Sequence, residues 1–342
     1  MTEIAITAAK GLIMILILMG AAAYMTFFER IIMARMQQRL GPNRTGPLGL
    51  LQPIADGIKL LLKESFVPAN AETFTYWLAP AISLFTALFA FVLIPVGGTV
   101  NLFGHPVRLQ IADVNAGFLF LLAFSSLAVY GIVLAGWSSN NRYSLLGSLR
   151  GTAQMISYEI PMGLSLVSVA LMAGTLTLSE IVEAQRSSHW FIWTNPIGFM
   201  IYLITAFAET NRAPFDLAEA ESELTAGFHT EYSGMKFALF FLAEYVNIFI
   251  ACAIGATLFF GGWMPFHIGH WETFNHIMDF IPSSLWFMGK TFGLIFLLMW
   301  FRWTFPRLRV DQLLNLEWKY LLPISMINLL LMTLIAIMGW HF

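Results

Sequence analysis

Carboxylates set inside apolar runs are the residues of this 342-residue chain best suited to chemistry. Glu244, in FFLAEYVNIF, follows Lys236 by eight residues, which places it about 12 Å along a helix rising ~1.5 Å per residue. A charge held centrally in a membrane helix costs roughly 2.5–3.5 kcal/mol even on a lenient scale, and ionisable groups that face a helix bundle mark proton or ion paths. Glu159 in SYEIPMG and Glu209 in FAETNR are expected nearer the helix ends, one to three turns in, and Glu29 closes the first apolar run beside Arg30. For Glu29 and Glu209 an interfacial resting place and a functional role stand level. Lys290, about two turns into another apolar run, either snorkels outward or pairs with an acid inside.

Two polar segments add to this set. The stretch AETNRAPFDLAEAESELTAGFHTEYSG sets Glu209, Asp216, Glu219, Glu221, Glu223 and Glu231 against Arg212 alone. Asp216 with Glu219 resembles a capping box and Gly227 a helix stop, so a short helix is expected between them. On it Glu219 and Glu223 would share a face at i, i+4, where like charges repel by a few tenths of a kcal/mol. A simple solvated acidic loop is the plainer alternative. In GLLQPIADGIKLLLKE, residues 49–64, Leu51, Ile54, Ala55, Ile58, Leu61 and Leu62 form one helix face, with Gln52, Asp56, Lys59 and Lys63 opposite. At this length and charge it lies flat at a membrane interface, as an anchor or as the door of a site open to lipid.

Other chemistry has little to stand on. Cys252 is the one cysteine, too few for a disulfide, an iron–sulfur site or a Cys-rich zinc site. The seven histidines, His105, His189, His229, His267, His270, His276 and His341, all avoid the middle of the apolar runs. His267 and His270 in HIGH have no third ligand beside them and read as polar loop residues. Dinucleotide, P-loop and HExxH fingerprints are lacking. No metal, cofactor or catalytic residue of its own is therefore expected, and the chemistry is proton or ion movement or is borrowed from a partner. A net charge of −2 gives no sign of nucleic-acid binding.

The elements that must position these groups follow from composition. Apolar side chains make up 58% and charged ones 11%, where a soluble protein has about a quarter charged. Eight uncharged stretches are long enough to span as helices: about 11–29, 76–96, 114–137, 156–176, 191–208, 237–260, 283–301 and 320–340. The first reads as a true span, a removable signal peptide being the weaker reading. Arg30, Arg35, Arg39, Arg44, Lys59, Lys63, Arg142, Arg150, Arg212, Lys236, Arg302, Arg307, Arg309 and Lys319 all fall in odd-numbered loops. The positive-inside rule then puts these loops in the cytoplasm or its organellar equivalent and both termini outside. The opposite loop at 259–286 holds Trp263, Phe266, Trp271 and Trp286, read as an aromatic belt. The expected fold is an all-α integral membrane protein of eight transmembrane helices, with an amphipathic interfacial helix and a cytoplasmic acidic-loop helix. It forms a single membrane domain over 1–342, with cytoplasmic loops at 30–75 and 209–236.

The segments Gly49–Lys59 (GLLQPIADGIK) and Pro214–Gly227 (PFDLAEAESELTAG) closely resemble two signatures of the quinone-site membrane subunit of respiratory complex I, called the H subunit in bacteria and subunit 1 in mitochondria. FFERIIMARMQQRLGPNRTG, RGTAQMISYE and RWTFPRLRVDQL are also similar to that family's cytoplasmic segments, so the resemblance covers nearly the whole chain. It implies a membrane subunit of a proton-translocating NADH:quinone oxidoreductase. Eight helices would form the heel of a membrane arm, beside peripheral subunits holding FMN and iron–sulfur clusters, with small membrane subunits alongside. Ubiquinone or menaquinone would enter through a cavity whose membrane mouth this chain builds. By position, Arg30, Arg35, Arg39, Gln52, Asp56, Lys59, Phe215 and Asp216 fall at the entrance and cavity. Glu219, Glu221 and Glu223 belong to the acidic loop beneath it. Glu29, Glu159, Glu209 and Glu244 complete the proton-coupling carboxylates. The want of a targeting segment fits a bacterial or an organelle-encoded chain, with a bacterial inner membrane preferred. Two rivals remain: the homologous subunit of a membrane-bound hydrogenase or of a formate- or deazaflavin-linked complex, and a proton-coupled transporter. The transporter should show inverted repeats, and no internal repeat is visible.

Overall fold

The computed structural model describes residues 2–102, 105–187, 189–219, 221–267 and 271–339. Long apolar runs in a bilayer leave backbone groups no partner but one another, which favours helices. The chain is accordingly 73% helical, with one short hairpin among the described residues, β1 (Thr99–Leu102) and β2 (His105–Arg108). Among the described residues, seven helical stretches are long and apolar enough to cross a membrane: Thr7–Met36, Thr73–Val92, Gly117–Ser138, Arg142–Ala173, Met235–Phe259, Ser283–Thr304 and Val310–Ile337. We label the helices α1 (Thr2–Met36), α2 (Gln52–Leu62), α3 (Thr73–Val92), α4 (Gly117–Ser138), α5 (Arg142–Ala173), α6 (Leu178–Ser187), α7 (Phe191–Thr194), α8 (Pro196–Glu209), α9 (Glu221–Leu224), α10 (Met235–Phe259), α11 (Glu272–Asp279), α12 (Ser283–Thr304), α13 (Val310–Leu316) and α14 (Leu322–Ile337).

Several expected boundaries move, each for a local reason. The fourth span begins at Arg142, well before 156, because Asn141 caps α5 by accepting from the Tyr143 amide at 2.9 Å. Arg142 and Arg150 therefore ride on a helix, and Glu159 lies about 25 Å from its start at ~1.5 Å per residue, deeper than expected. The run at 191–208 divides into α7 and α8: Asn195 leaves helical geometry, its side chain accepts from Gly198 N at 2.9 Å, and Pro196 starts the new helix. The 14 residues of α8 are fewer than the ~17–25 of a typical span. The last span begins at Val310 and passes through a π-turn at Glu317–Leu321 ahead of Pro323. Proline lacks an N–H and crowds the carbonyl one turn back, so the ladder widens there. This turn buries Glu317, which the sequence placed in a loop.

α5 is the central strut, packing against α4, α8 and α14, while α10 packs on α3, α12 and α1. Leu12, Ile13, Leu16 and Ile17 of α1 are each more than half exposed, the pattern of a lipid-facing helix. Lys290 neither snorkels nor meets an acid. Its ammonium donates to the carbonyls of Phe260 (2.6 Å), Gly262 (3.0 Å) and Met264 (2.7 Å) beyond the end of α10, with the Trp190 ring 4.3 Å away. Trp263 is buried, so it takes no part in an aromatic belt, whereas Trp271 is exposed. His267 meets Asp279 at 2.9 Å, and His270 lies outside the described residues.

Candidate functional site

The acidic loop is seated on α5 through small residues. A Cβ on Gly151 would stand 2.7 Å from Ala218 Cβ, and one on Gly147 would stand 2.8 Å from Gly227 Cα. Gly227 itself has φ +57, and its Cβ would fall 1.7 Å from Ala218 O, so glycine is required there. At the other end Leu308 N donates to Pro214 O at 3.0 Å, and the Arg307 guanidinium donates to Asp216 O. A loop pinned this closely at both ends cannot coil through 216–227. The expected helix shrinks to α9 and a 3-10 turn at Gly227–His229.

The expected same-face pairing of Glu219 with Glu223 is thereby lost. Glu223, half exposed, pairs with Arg150 at 2.6 Å, while Glu219 turns to an internal cavity. Glu221 opens α9, and its side chain lies outside the described part. Phe215 is buried edge-on against Tyr158, with ring centroids 5.6 Å apart. Asp216 is partly buried and its Oδ1 has no hydrogen-bond partner; burial and then Glu219 raise its pKa above the ordinary aspartate value, with Arg307 opposing.

Two adjoining cavities lie between α3, α4, α5, α8 and α10. One of about 60 Å³ is lined by Glu209, Glu219, Glu244, Asn211, Asn247 and His229, with Phe228, Phe237, Phe240 and Phe241 around them. The other, of about 40 Å³, shares Glu209, Thr210, Met155 and Asn247 with it. A water needs roughly 10–15 Å³ on such a measure and two to four polar partners, so each space has room for a few waters. Three carboxyl groups from the acidic loop, α8 and α10 thus border one wettable space. Glu159 on α5 lies near Glu209 and accepts from Ser126 Oγ of α4.

Glu244 pairs with Arg212, whose side chain is only 7% exposed. Burial disfavours the Arg212 charge, but Glu244, Tyr245, Glu219 and Glu29 outweigh it and raise its pKa above the ordinary arginine value. The guanidinium also lies over the Tyr245 ring at 4.8 Å. Tyr245 donates to Glu29 Oε2 at 2.5 Å, and Arg302 pairs with the other Glu29 oxygen. Glu29 is 5% exposed, so no interfacial resting place applies. Two buried ion pairs, Arg212–Glu244 and Arg302–Glu29, are bridged by Tyr245.

At the other polar segment, α2 follows a 3-10 turn at Pro47–Gly49 and ends at Leu62. Gln52 and Asp56 of its polar face turn inward: Thr45 Oγ1 donates to Gln52 Oε1 (2.7 Å), Gln52 Nε2 to Asp56 Oδ1 (3.0 Å), and Arg30 Nη1 to Asp56 Oδ2 (2.6 Å). Its apolar Ile54, Ile58, Leu61 and Leu62 are exposed. Lys59, Arg35 and Arg39 are exposed and stand apart from this chain of contacts.

Arg212, Arg302, Tyr245, Asn247 and His229 were not singled out in the sequence as site residues. The signal for Arg212 was its place beside the acids of the following loop. For Arg302 it was a guanidinium in the last turn of an apolar helix, where a buried acid elsewhere needs a cation. Among the described residues, no group of three or more His, Cys, Asp or Glu is placed to hold a metal ion.

A family model described as NADH dehydrogenase matches residues 9–333. The H subunit of NADH-quinone oxidoreductase from Protochlamydia amoebophila is 66% identical over 311 residues, covering 91% of each chain. The corresponding H subunit of Phocaeicola vulgatus is 52% identical over 94% of this chain and 88% of its own. The H 1 subunit of Geobacter metallireducens is 50% identical over 99% and 97%. With a match across nearly the whole length, the chain belongs to the NADH dehydrogenase family, the family of the NADH-quinone oxidoreductase H subunit.

Proposed function

We propose that this chain forms the membrane entrance of a quinone cavity and passes the charge change of quinone reduction to its own buried carboxylates. The observation that carries the reading is the wettable space bordered by Glu209, Glu219 and Glu244. Reducing a quinone takes two electrons and two protons, so it alters charge where the headgroup sits. Unit charges about 10 Å apart at an effective dielectric of ~20 interact by about 1.7 kcal/mol. Carboxyl groups that close to one another titrate as a set, so a proton gained at one end is felt at the other. Asp216 and Phe215 on the loop face the incoming change, Glu219, Glu209 and Glu244 carry it inward, and Glu159 lies next along α5. Glu29 and Arg302 hold Tyr245 against Arg212 and so fix the partner of Glu244.

The entrance reading rests on α2. Its inward chain Thr45–Gln52–Asp56–Arg30 and outward Ile54, Ile58 and Leu61 suit a doorsill between lipid and a polar chamber. Arg35, Arg39 and Lys59 would meet the peripheral subunits or headgroups at the same edge. In this reading α7 and α8 together make the eighth crossing. The chain is one membrane domain, with the loops at 30–75 and 209–236 cytoplasmic and both termini on the outer side of a bacterial inner membrane. Quinone is its substrate, the FMN and iron–sulfur clusters belong to partner subunits, and the small membrane subunits lie beside it. Glu209→Gln and Glu244→Gln are the test, in complex isolated through a tag on this chain. Each should slow inhibitor-sensitive NADH:quinone electron transfer at least tenfold or lower the protons moved per electron. Unchanged rate and stoichiometry in both variants would refute the reading, and activity with hydrogen, formate or a deazaflavin in place of NADH would move the chain to a sister complex.

A further inference from the structure

The larger cavity has an uneven wall. On the side of the acidic loop and the start of α10 its lining is Phe228, Phe237, Phe240 and Phe241, with Glu219 and His229 among them. The His229 ring stands edge-on to Phe228 (centroids 4.8 Å, 84°) and to Phe237 (5.3 Å, 69°) and is half-buried, so it reaches both the cavity and the protein surface. Phenyl rings pass no protons. An imidazole does, because one ring nitrogen can take a proton while the other releases one, and its ordinary titration lies near neutral pH.

Charged groups approach it from each neighbouring element. From the acidic loop come Glu219, lining the same cavity, and Glu223, paired with Arg150 of α5. Glu231, two residues on, accepts from Asn141 Nδ2 at 2.6 Å. From α10 come Glu244, paired with Arg212, and Lys236, which is 1% exposed and held over the Tyr76 and Trp77 rings at 4.8 and 4.1 Å. From α8 comes Glu209. Among the described residues His229 is the one imidazole in that lining.

We propose that His229 is the port through which protons pass between the carboxylate cavity and the water beside the acidic loop. A proton bound from water at one nitrogen leaves from the other to a water in the cavity, and the ring then returns to its starting tautomer. The inference rests on the carboxylate-cavity reading. It is tested in the intact complex with His229→Gln and His229→Ala, with Glu244→Gln alongside. NADH oxidation by ferricyanide, an acceptor that draws electrons without quinone, reports assembly and should stay at the unsubstituted level. The NADH:quinone rate should fall about a hundredfold in both His229 variants, the low end of a proton-transfer contribution. The pH dependence of the rate should differ between the unsubstituted complex and His229→Gln. Added imidazole should restore His229→Ala. A slow His229→Gln with an unchanged pH profile and no imidazole rescue in His229→Ala would make the residue merely structural and overturn the proposal, as would unaltered rates. If His229→Ala fails to assemble, the pH profile of His229→Gln decides. Impairment by Glu244→Gln alone would remove the port and leave the cavity reading standing; no effect of either residue would remove both.

Discussion

Replacing Arg212 with glutamine would leave Glu244 facing a mostly apolar wall without its cation. The two side chains are 7% and 18% exposed, respectively. Removing one partner of a buried ion pair costs about 3–5 kcal/mol, because the charge left behind has lost both water and partner. The partial exposure of Glu244 and the room for water in its cavity lower this to roughly 2–4 kcal/mol. Removing both charges avoids that penalty. In a cycle of Arg212→Gln, Glu244→Gln and the double variant, the double should therefore be more stable than Arg212→Gln alone. The coupling energy should reach about 2 kcal/mol, a factor of roughly 30 in an equilibrium constant. The readout is urea-induced release of this chain from the purified complex, followed on native gels, with ferricyanide-linked NADH oxidation as a check on the peripheral arm. Additivity within about 0.5 kcal/mol would refute the reasoning, since it would mean that the pair does not hold α10 to the loop in solution.

Other consequences are as specific. Gly151→Leu would press into Ala218 and lift the acidic loop from α5, at about 1–3 kcal/mol; faster protease cleavage within 213–234 would register it. Lys290→Met would strip three carbonyls beyond α10 of their common donor and should cost about 1–3 kcal/mol, seen as a lower melting temperature of the complex. Because the pKa of Asp216 is raised by burial and Glu219, its contribution to loop stability is fullest below the ordinary aspartate range and is lost as pH rises through the raised value. Protection of the loop amides, after allowance for the base-catalysed rise of exchange itself, should therefore fall from about pH 4 upward and do so less in Asp216→Asn. Tryptophan at Ile54 or Ile58 should raise the apparent quinone KM with little change in kcat; a KM unmoved by both would reduce α2 to an anchor.

Composition alone declared a helical membrane protein, since so few charges leave no other way to cover the chain, and seven long apolar helices follow. The helical state of 52–62 and the place of Glu244 inside a long apolar helix were legible because helical periodicity is local. Partners were not legible. Arg212 lies in the turn after α8 and Glu244 within α10, with the whole acidic loop between them, so no helical spacing relates the two and only tertiary folding sets them together. Arg302 reaches Glu29 across most of the sequence. The Glu219/Glu223 expectation failed because a capping pattern describes what a segment prefers by itself, while Gly147, Gly151 and Gly227 give the loop a closer seat on α5 as a turn. Lys290 found neither lipid headgroups nor an acid, because chain turns beyond α10 offered backbone carbonyls, which no side-chain pattern announces.

Protonation changes of the carboxyl groups around the internal cavity on quinone reduction are visible to redox-induced infrared difference spectroscopy of the intact complex. A carboxyl C=O band should appear or disappear on quinone reduction, shift in deuterium oxide, and be lost in Glu244→Gln or Glu209→Gln. A difference spectrum identical in the carboxyl region for the unsubstituted complex and both variants, with quinone fully reduced in each, would contradict it.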